Sequence, residues 1–200
     1  MVLTICQIGE PILRQAAKTL TTKEIHGSRI QQLIETMKET MYQAPGVGLA
    51  APQIGESLQL AVIEDRAEYL KTLSQQQLLE RERQPTPFQV IINPQIIIES
   101  HKQVEFFEGC LSVQGFIGLV PRYHSIKVAC LNEKAEPVVI MARGWHARIL
   151  QHEIDHLHGK LYLDHMRPRS FMSLENYLKY WRDQPIKCVC NSLSIPSFDC

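Results

Sequence analysis

The chain has 200 residues, with 21 lysines and arginines against 21 aspartates and glutamates. Nothing in so even a balance points to nucleic acid or membrane as the main partner, so no direct nucleic-acid site is expected and a small or uncharged substrate fits better. This length buries a core without disulfides and predicts one catalytic domain over residues 1–184, followed by a C-terminal tail over 185–200.

No apolar run is long enough to span a bilayer, and the start MVLTICQIGEPILRQAA lacks a basic stretch followed by an apolar core, so a cytoplasmic protein is expected. The six cysteines, Cys6, Cys110, Cys130, Cys188, Cys190 and Cys200, fit neither a disulfide framework nor a four-cysteine zinc site. Reduced thiols are expected, with Cys188, Cys190 and Cys200 on a mobile tail without function.

In chain order, GEPILR opens with a turn signal. Ser28 is then a candidate N-cap for a helix to Gln43, in which Ile30, Leu33, Ile34, Met37 and Met41 recur at helical spacing. Pro45 and Gly46 end it and begin GVGLAAPQIG, a loop whose small residues permit close approach of a ligand or another backbone. It lacks the GK[ST] or GxGxxG of a phosphate site, and Gln53 within it can donate to a developing oxyanion. LQLAVIE and QVIINPQIII read as strands, the second broken by Pro94. Between them, residues 65–87 read as an insertion, a short surface helix or mobile excursion without catalytic machinery.

KQVEFFEGCLSVQGF begins as a strand and reaches Gly109, where a turn would face Cys110 inward. Residues 119–144 read as two antiparallel strands joined near Asn132 to Ala135. GWHARILQHEIDHLHG is a helix with Gly159 at its C-terminal cap, and SLENYLKYWR carries a last helical pattern.

The chemistry concentrates on that penultimate helix. His152 and His156 lie four residues apart on one face, so both imidazoles can reach one metal ion. Glu153 points to the side of the pair and can act as a base toward water there. Chance placement on a solvated helix is the bland alternative, opposed by Ile149, Leu150, Ile154 and Leu157, which put the motif on a buried face. A third ligand is needed. HEIDHLHGKLY follows the HExxHxxGxxH metzincin pattern up to Gly159, but Tyr162 stands where the third histidine belongs. A thermolysin-like site completed by Glu175 stays open. A lone cysteine is as often a small buried hydrophobe, but Cys110 is the better third ligand, since a thiolate completes the set and leaves a position for water.

GVGLAAPQ, EGCLS and QHEIDH, in this order, resemble the three signature motifs of peptide deformylases. The resemblance implies an α+β fold with antiparallel sheets packed around a central helix carrying HEIDH. It implies Cys110, His152 and His156 as ligands of one divalent ion, Fe2+ as the native one with Zn2+, Ni2+ or Co2+ as alternatives, and Glu153 as general base and acid. By the same matching, the Gln53 amide and the Leu111 N–H hold the formyl oxygen, while Val47, Gly48 and Gly109 contact the substrate, docked as an added strand. Trp145 and Ile149 extend the ligand-bearing face as a wall for methionine, although core packing explains them almost as well. The implied substrates are N-formylmethionyl nascent peptides, met near the ribosomal exit tunnel. Gln114, where many bacterial members have proline, resembles the organelle-type branch. A bacterial cytoplasm is expected, with an organelle after removal of a targeting peptide as the alternative. Asp155 pairs with Arg122 in an outer layer, and His146, His158 and His165 are read as surface residues.

Overall fold

The fold is a computed structural model that describes residues 2–196, so Cys200 lies outside the described residues. One sheet has the order β1-β2-β3-β6-β7 and a second the order β4-β5-β8, every pairing antiparallel. The strands are β1 (Gly48–Ala50), β2 (Leu60–Asp65), β3 (Thr86–Ile98), β4 (Gln103–Cys110), β5 (Val113–Tyr123), β6 (Ser125–Leu131), β7 (Pro137–Arg143) and β8 (Met172–Ser173).

Side chains alternate across a strand, and β2 shows the consequence. Ala61 and Ile63 pack with Leu150, Ile154 and Leu157 of the helix Gly144–Leu157, while Leu60 and Val62 pack with Ile34, Met37 and Met41 of the helix Ser28–Gln43. A strand covered on both faces has no need of polar positions, which is why LAVI is an unbroken apolar run. Helices α1 (Thr22–Ile25) and α2 (Ser28–Gln43) precede β1, α3 (Ala67–Leu70) and α4 (Gln75–Arg81) follow β2, and α5 (Gly144–Leu157) follows β7. The expected α+β fold around a central motif helix is found, with α5 as that helix.

Several local expectations change. Gly27, not Ser28, is the N-cap of α2. Pro94 does not break β3: the strand continues through a register shift between Ile92 and Gln95, with Asn93 at φ +51°. A bulge is where a sheet tolerates the missing N–H of proline, and the Asn93 amide secures it by donating to Leu20 O at 2.8 Å and accepting from Leu20 N at 2.9 Å. Residues 119–144 span three strands, because β5 pairs with β4 while β6 and β7 form the hairpin.

The insertion is no loose excursion. Arg83 grips the buried Asp65 carboxylate with two bonds of 2.7 and 2.9 Å, and Glu82 bridges His124 at 2.9 Å and Arg143 at 2.6 Å. Beyond β8, α6 (Leu174–Asn176) runs into a wide helical turn, Tyr177–Trp181. The tail expected to be mobile instead carries α7 (Ile186–Ser192), whose buried Val189 and Cys190 pack with Phe107, Ile117 and Leu119.

Candidate metal centre

Three motifs far apart in the chain meet where α5 crosses the ends of β1 and β4. Each of these strands is the outer strand of its sheet, so the site lies between two free sheet edges. The Cys110 thiol and one nitrogen each of His152 and His156 lie within 4.8 Å of one another. Cys110 Sγ is 3.3 Å from His156 Nε2. Two donors sharing one tetrahedral ion at ordinary bond lengths sit about 3.5 Å apart, so the spacing suits a single cation.

The chemistry of the donors also fits. Burial alone would raise the Cys110 thiol, but the adjacent His156 and His152 outweigh it and bring it down to about 5, so the ligand is a thiolate at neutral pH. His152 Nδ1 lies 3.0 Å from Glu108 Oε2, which turns its Nε2 toward the thiolate. Two imidazoles and one thiolate leave a fourth position open, the arrangement of a catalytic centre and not of a closed structural one. Glu175 is exposed on α6 and takes no part in the donor group, which removes the thermolysin-like alternative.

Glu153 is buried beside these donors, and its Oε2 has no hydrogen-bond partner. Burial pushes its carboxyl up to about 7, against the pull of the nearby histidines, so it can both take and return a proton near neutrality. Gly48 is what makes room for it. A Cβ at residue 48 would stand 2.2 Å from Glu153 Oε1, which accounts for one glycine of GVGLAAPQ.

Gln53 is 1% exposed, and its amide has a fixed orientation. Its Oε1 accepts from Ala50 N at 2.8 Å, leaving Nε2 to face Ser112 Oγ at 3.2 Å and Cys110 Sγ at 3.5 Å. The donor end therefore points into the centre. Leu111 follows Cys110 in the turn to β5, and its carbonyl is held by Gln7 Nε2 at 3.0 Å. Val47, Gly48, Gly109, Cys110, Leu111, Trp145, Ile149 and Glu153 all border one cleft of about 860 Å³. His156 lies beneath it, 1% exposed. Trp145 is braced from behind by the insertion, with Arg81 and Arg83 at 5.2 and 5.0 Å from its ring.

Glu108 escaped the sequence reading, and it is the hub of the buried layer. Besides His152, it takes two bonds of 3.0 Å from Arg122 and one of 2.7 Å from Arg148. Burial would raise its carboxyl, but Arg122, His152 and Arg148 together hold it well below the usual carboxylate range. The expected pair of Arg122 with Asp155 forms at 2.5 Å. His165 is not a bystander on the surface: it lies 3.3 Å from the same Asp155 carboxylate, while His146 is half-buried 3.3 Å from Gln89 Oε1. His158 is exposed as expected. The one signal for Glu108 was its place in EGCLS, two residues before the ligand cysteine.

A family model of polypeptide deformylases matches residues 2–171. The chain is 42% identical over 191 residues to peptide deformylase 1A, chloroplastic, of Solanum lycopersicum, covering 96% of this chain and 67% of the relative. It is 36% identical to the mitochondrial peptide deformylase of Homo sapiens over 88% of this chain and 71% of that one. The chain thus spans about two thirds of the length of these organellar relatives. A class I type b peptide deformylase from Acinetobacter baumannii, solved with Met-Ala-Ser bound, is 32% identical with a TM-score of 0.74, covering 83% of this chain and 99% of that one. Matched over most of its length in sequence and in three dimensions, the chain belongs to the polypeptide deformylase family.

Proposed function

We propose that the chain hydrolyses the N-formyl group of the formylmethionine that begins new polypeptides, releasing formate, with Glu153 carrying the protons. The observation behind this reading is a buried carboxyl set beside a cysteine sulfur and two imidazoles and left with one oxygen unpartnered.

Cys110, His152 and His156 would hold one divalent ion, Fe2+ in the native protein or Zn2+, Ni2+ or Co2+ in its place, which would supply Lewis-acid charge for the formyl carbonyl and for water. Glu153 accepts a proton from the attacking water as the new carbon–oxygen bond forms. Negative charge gathers on the former carbonyl oxygen, where the Gln53 amide and the Leu111 N–H donate. The carbon–nitrogen bond then breaks, and Glu153 returns its proton to the leaving amine, so formate and a free methionyl N-terminus remain. Val47, Gly48 and Gly109 offer backbone on the two sheet edges for an extended peptide, and Trp145 with Ile149 walls the methionine side chain. Such a substrate is met as it leaves the ribosome, in a bacterial cytoplasm or, alternatively, an organelle.

The test is formate release from formyl-Met-Ala, with anaerobic metal analysis in parallel. Glu153→Ala should retain the metal and lose turnover by about 10²–10⁴-fold. Turnover equal to that of the unaltered protein would refute the assignment.

A further inference from the structure

The two groups that donate to the oxyanion stand on turns that belong to different sheets. Gln53 lies in the turn Ala51–Ile54 that follows β1, and Leu111 lies in the turn between β4 and β5. A donor aligned before reaction needs no reorganisation as charge develops, so the placing of one turn against the other matters. The N-terminal segment ties them together. Cys6 N donates to Gln53 O at 2.7 Å, and Ile8 N donates to Ser112 O at 2.8 Å.

Gln7 stands between these anchors, half-buried at the border of the cleft. Its Nε2 donates to Leu111 O at 3.0 Å and to Ile5 O at 3.2 Å, while its Oε1 accepts from Gln114 N at 3.5 Å. The amide is engaged at both ends, and so is the backbone that carries it. Gln7 N donates to Glu10 Oε1 at 2.8 Å, and Gln7 O accepts from Glu10 N at 3.1 Å. Within the turn, Ser112 N donates to Cys110 Sγ at 3.4 Å. The carbonyl of Leu111 is thus gripped by Gln7, and the next residue by Ile8 and the ligand sulfur. Peptide units are planar, so fixing these groups restrains the two soft dihedrals of Leu111 and with them the direction of its N–H.

We infer that Gln7 is a positioning residue for deformylation: by gripping Leu111 O it aims the Leu111 N–H at the oxygen on which negative charge gathers. Removing an oxyanion donor outright costs about 10²–10³ in kcat, and a donor left in place but loosened forfeits part of that, about tenfold. The peptide docks along the sheet edges at Val47, Gly48 and Gly109, so the loss falls on kcat and spares KM.

The inference rests on the deformylase reading, and the experiment tells the two apart. Formate release from formyl-Met-Ala is measured for the unaltered protein, Gln7→Met and Gln7→Lys. Rates are taken per bound metal ion, so that loss of folded protein does not imitate the effect. Methionine matches glutamine in length without a donor, and lysine restores a donor. In Gln7→Met, kcat should fall about tenfold with KM within about twofold, and Gln7→Lys should recover most of the loss. Three results overturn the positioning role: a Gln7→Met kcat within about twofold of the unaltered protein, a KM that rises about tenfold while kcat holds, or a Gln7→Lys no faster than Gln7→Met. In each of them, formate release by the unaltered protein leaves the deformylase reading standing. No formate from the unaltered protein would instead bring down that reading and this role with it.

Discussion

Gly48→Ala separates the role of this glycine from ordinary loop tolerance. The backbone at residue 48 is not in the left-handed region, so alanine fits the conformation, and the nearest conflict is with Glu153. The new Cβ would lie 2.2 Å from Oε1, 2.5 Å from Cδ and 2.7 Å from Cγ of Glu153. Relief requires the carboxylate to retreat by about 1 Å. Displacing a reacting group by that much costs on the order of 10² in rate. The expected result is therefore a kcat for formyl-Met-Ala lowered by about 10²-fold, with KM changed far less and the metal retained. If residue 48 mattered only for docking peptide backbone, KM would rise and kcat would hold. A kcat within about threefold of the unaltered protein, measured on fully metal-loaded enzyme, would refute the account.

Removing the thiolate in Cys110→Ala should release the metal and abolish formate production, while Glu175→Ala leaves metal content and turnover unchanged; metal analysis of the two variants checks both. Leu150→Ala, at a position fully buried between α5 and the larger sheet, should cost about 2–5 kcal/mol, read by denaturant unfolding as a lower midpoint with an unaltered slope. The Glu82 carboxyl is held below its usual range by Arg143 and His124. Its folded value being the lower one, its stabilisation is present above the ordinary glutamate range and is lost as pH falls through the folded value. The pair with Arg143 is well exposed, so screening limits this to about 1 kcal/mol at most. The Tm gap between the unaltered protein and Glu82→Gln should therefore be about 2–4 °C or less at pH 7 and close toward pH 3, and a gap constant with pH would contradict it.

What could be read from the sequence was whatever repeats locally. The apolar spacing of α2 and the four-residue step from His152 to His156 are set within a turn or two of the chain, and the structure places each where the pattern did, while the C-cap of α5 is His158, with Gly159 one residue past it at φ +70°. A one-residue choice of cap between Gly27 and Ser28 was not decidable, because glycine and serine both serve there. The insertion was read in part: α3 and α4 are short helices with no buried residues, as a surface helix should be, but the segment is not loose. Its composition is that of a surface excursion, and what fastens it is ion pairing of Arg83 to Asp65 and of Glu82 to His124 and Arg143, partners distant in sequence. Tail helix α7 is too short for periodicity to mark it, and Val189 and Cys190 show their purpose only against Phe107 and Leu119.

The candidate site divides along the same line. Metal-ligand chemistry is carried by residue type and spacing, so Cys110, His152, His156 and Glu153 stood out before any coordinates. The groups that orient them are ordinary in type and distant in sequence. Glu108 on β4 reaches His152 on α5, Arg148 and Arg122 neutralise Glu108, and Ser112 faces the Gln53 amide. Each satisfies a polar group that burial would otherwise leave costly, and that requirement exists only once the core has closed over them. Gly48 shows the limit most clearly. In sequence it reads as permission for close approach, and only the folded chain shows that what approaches is the carboxylate of Glu153.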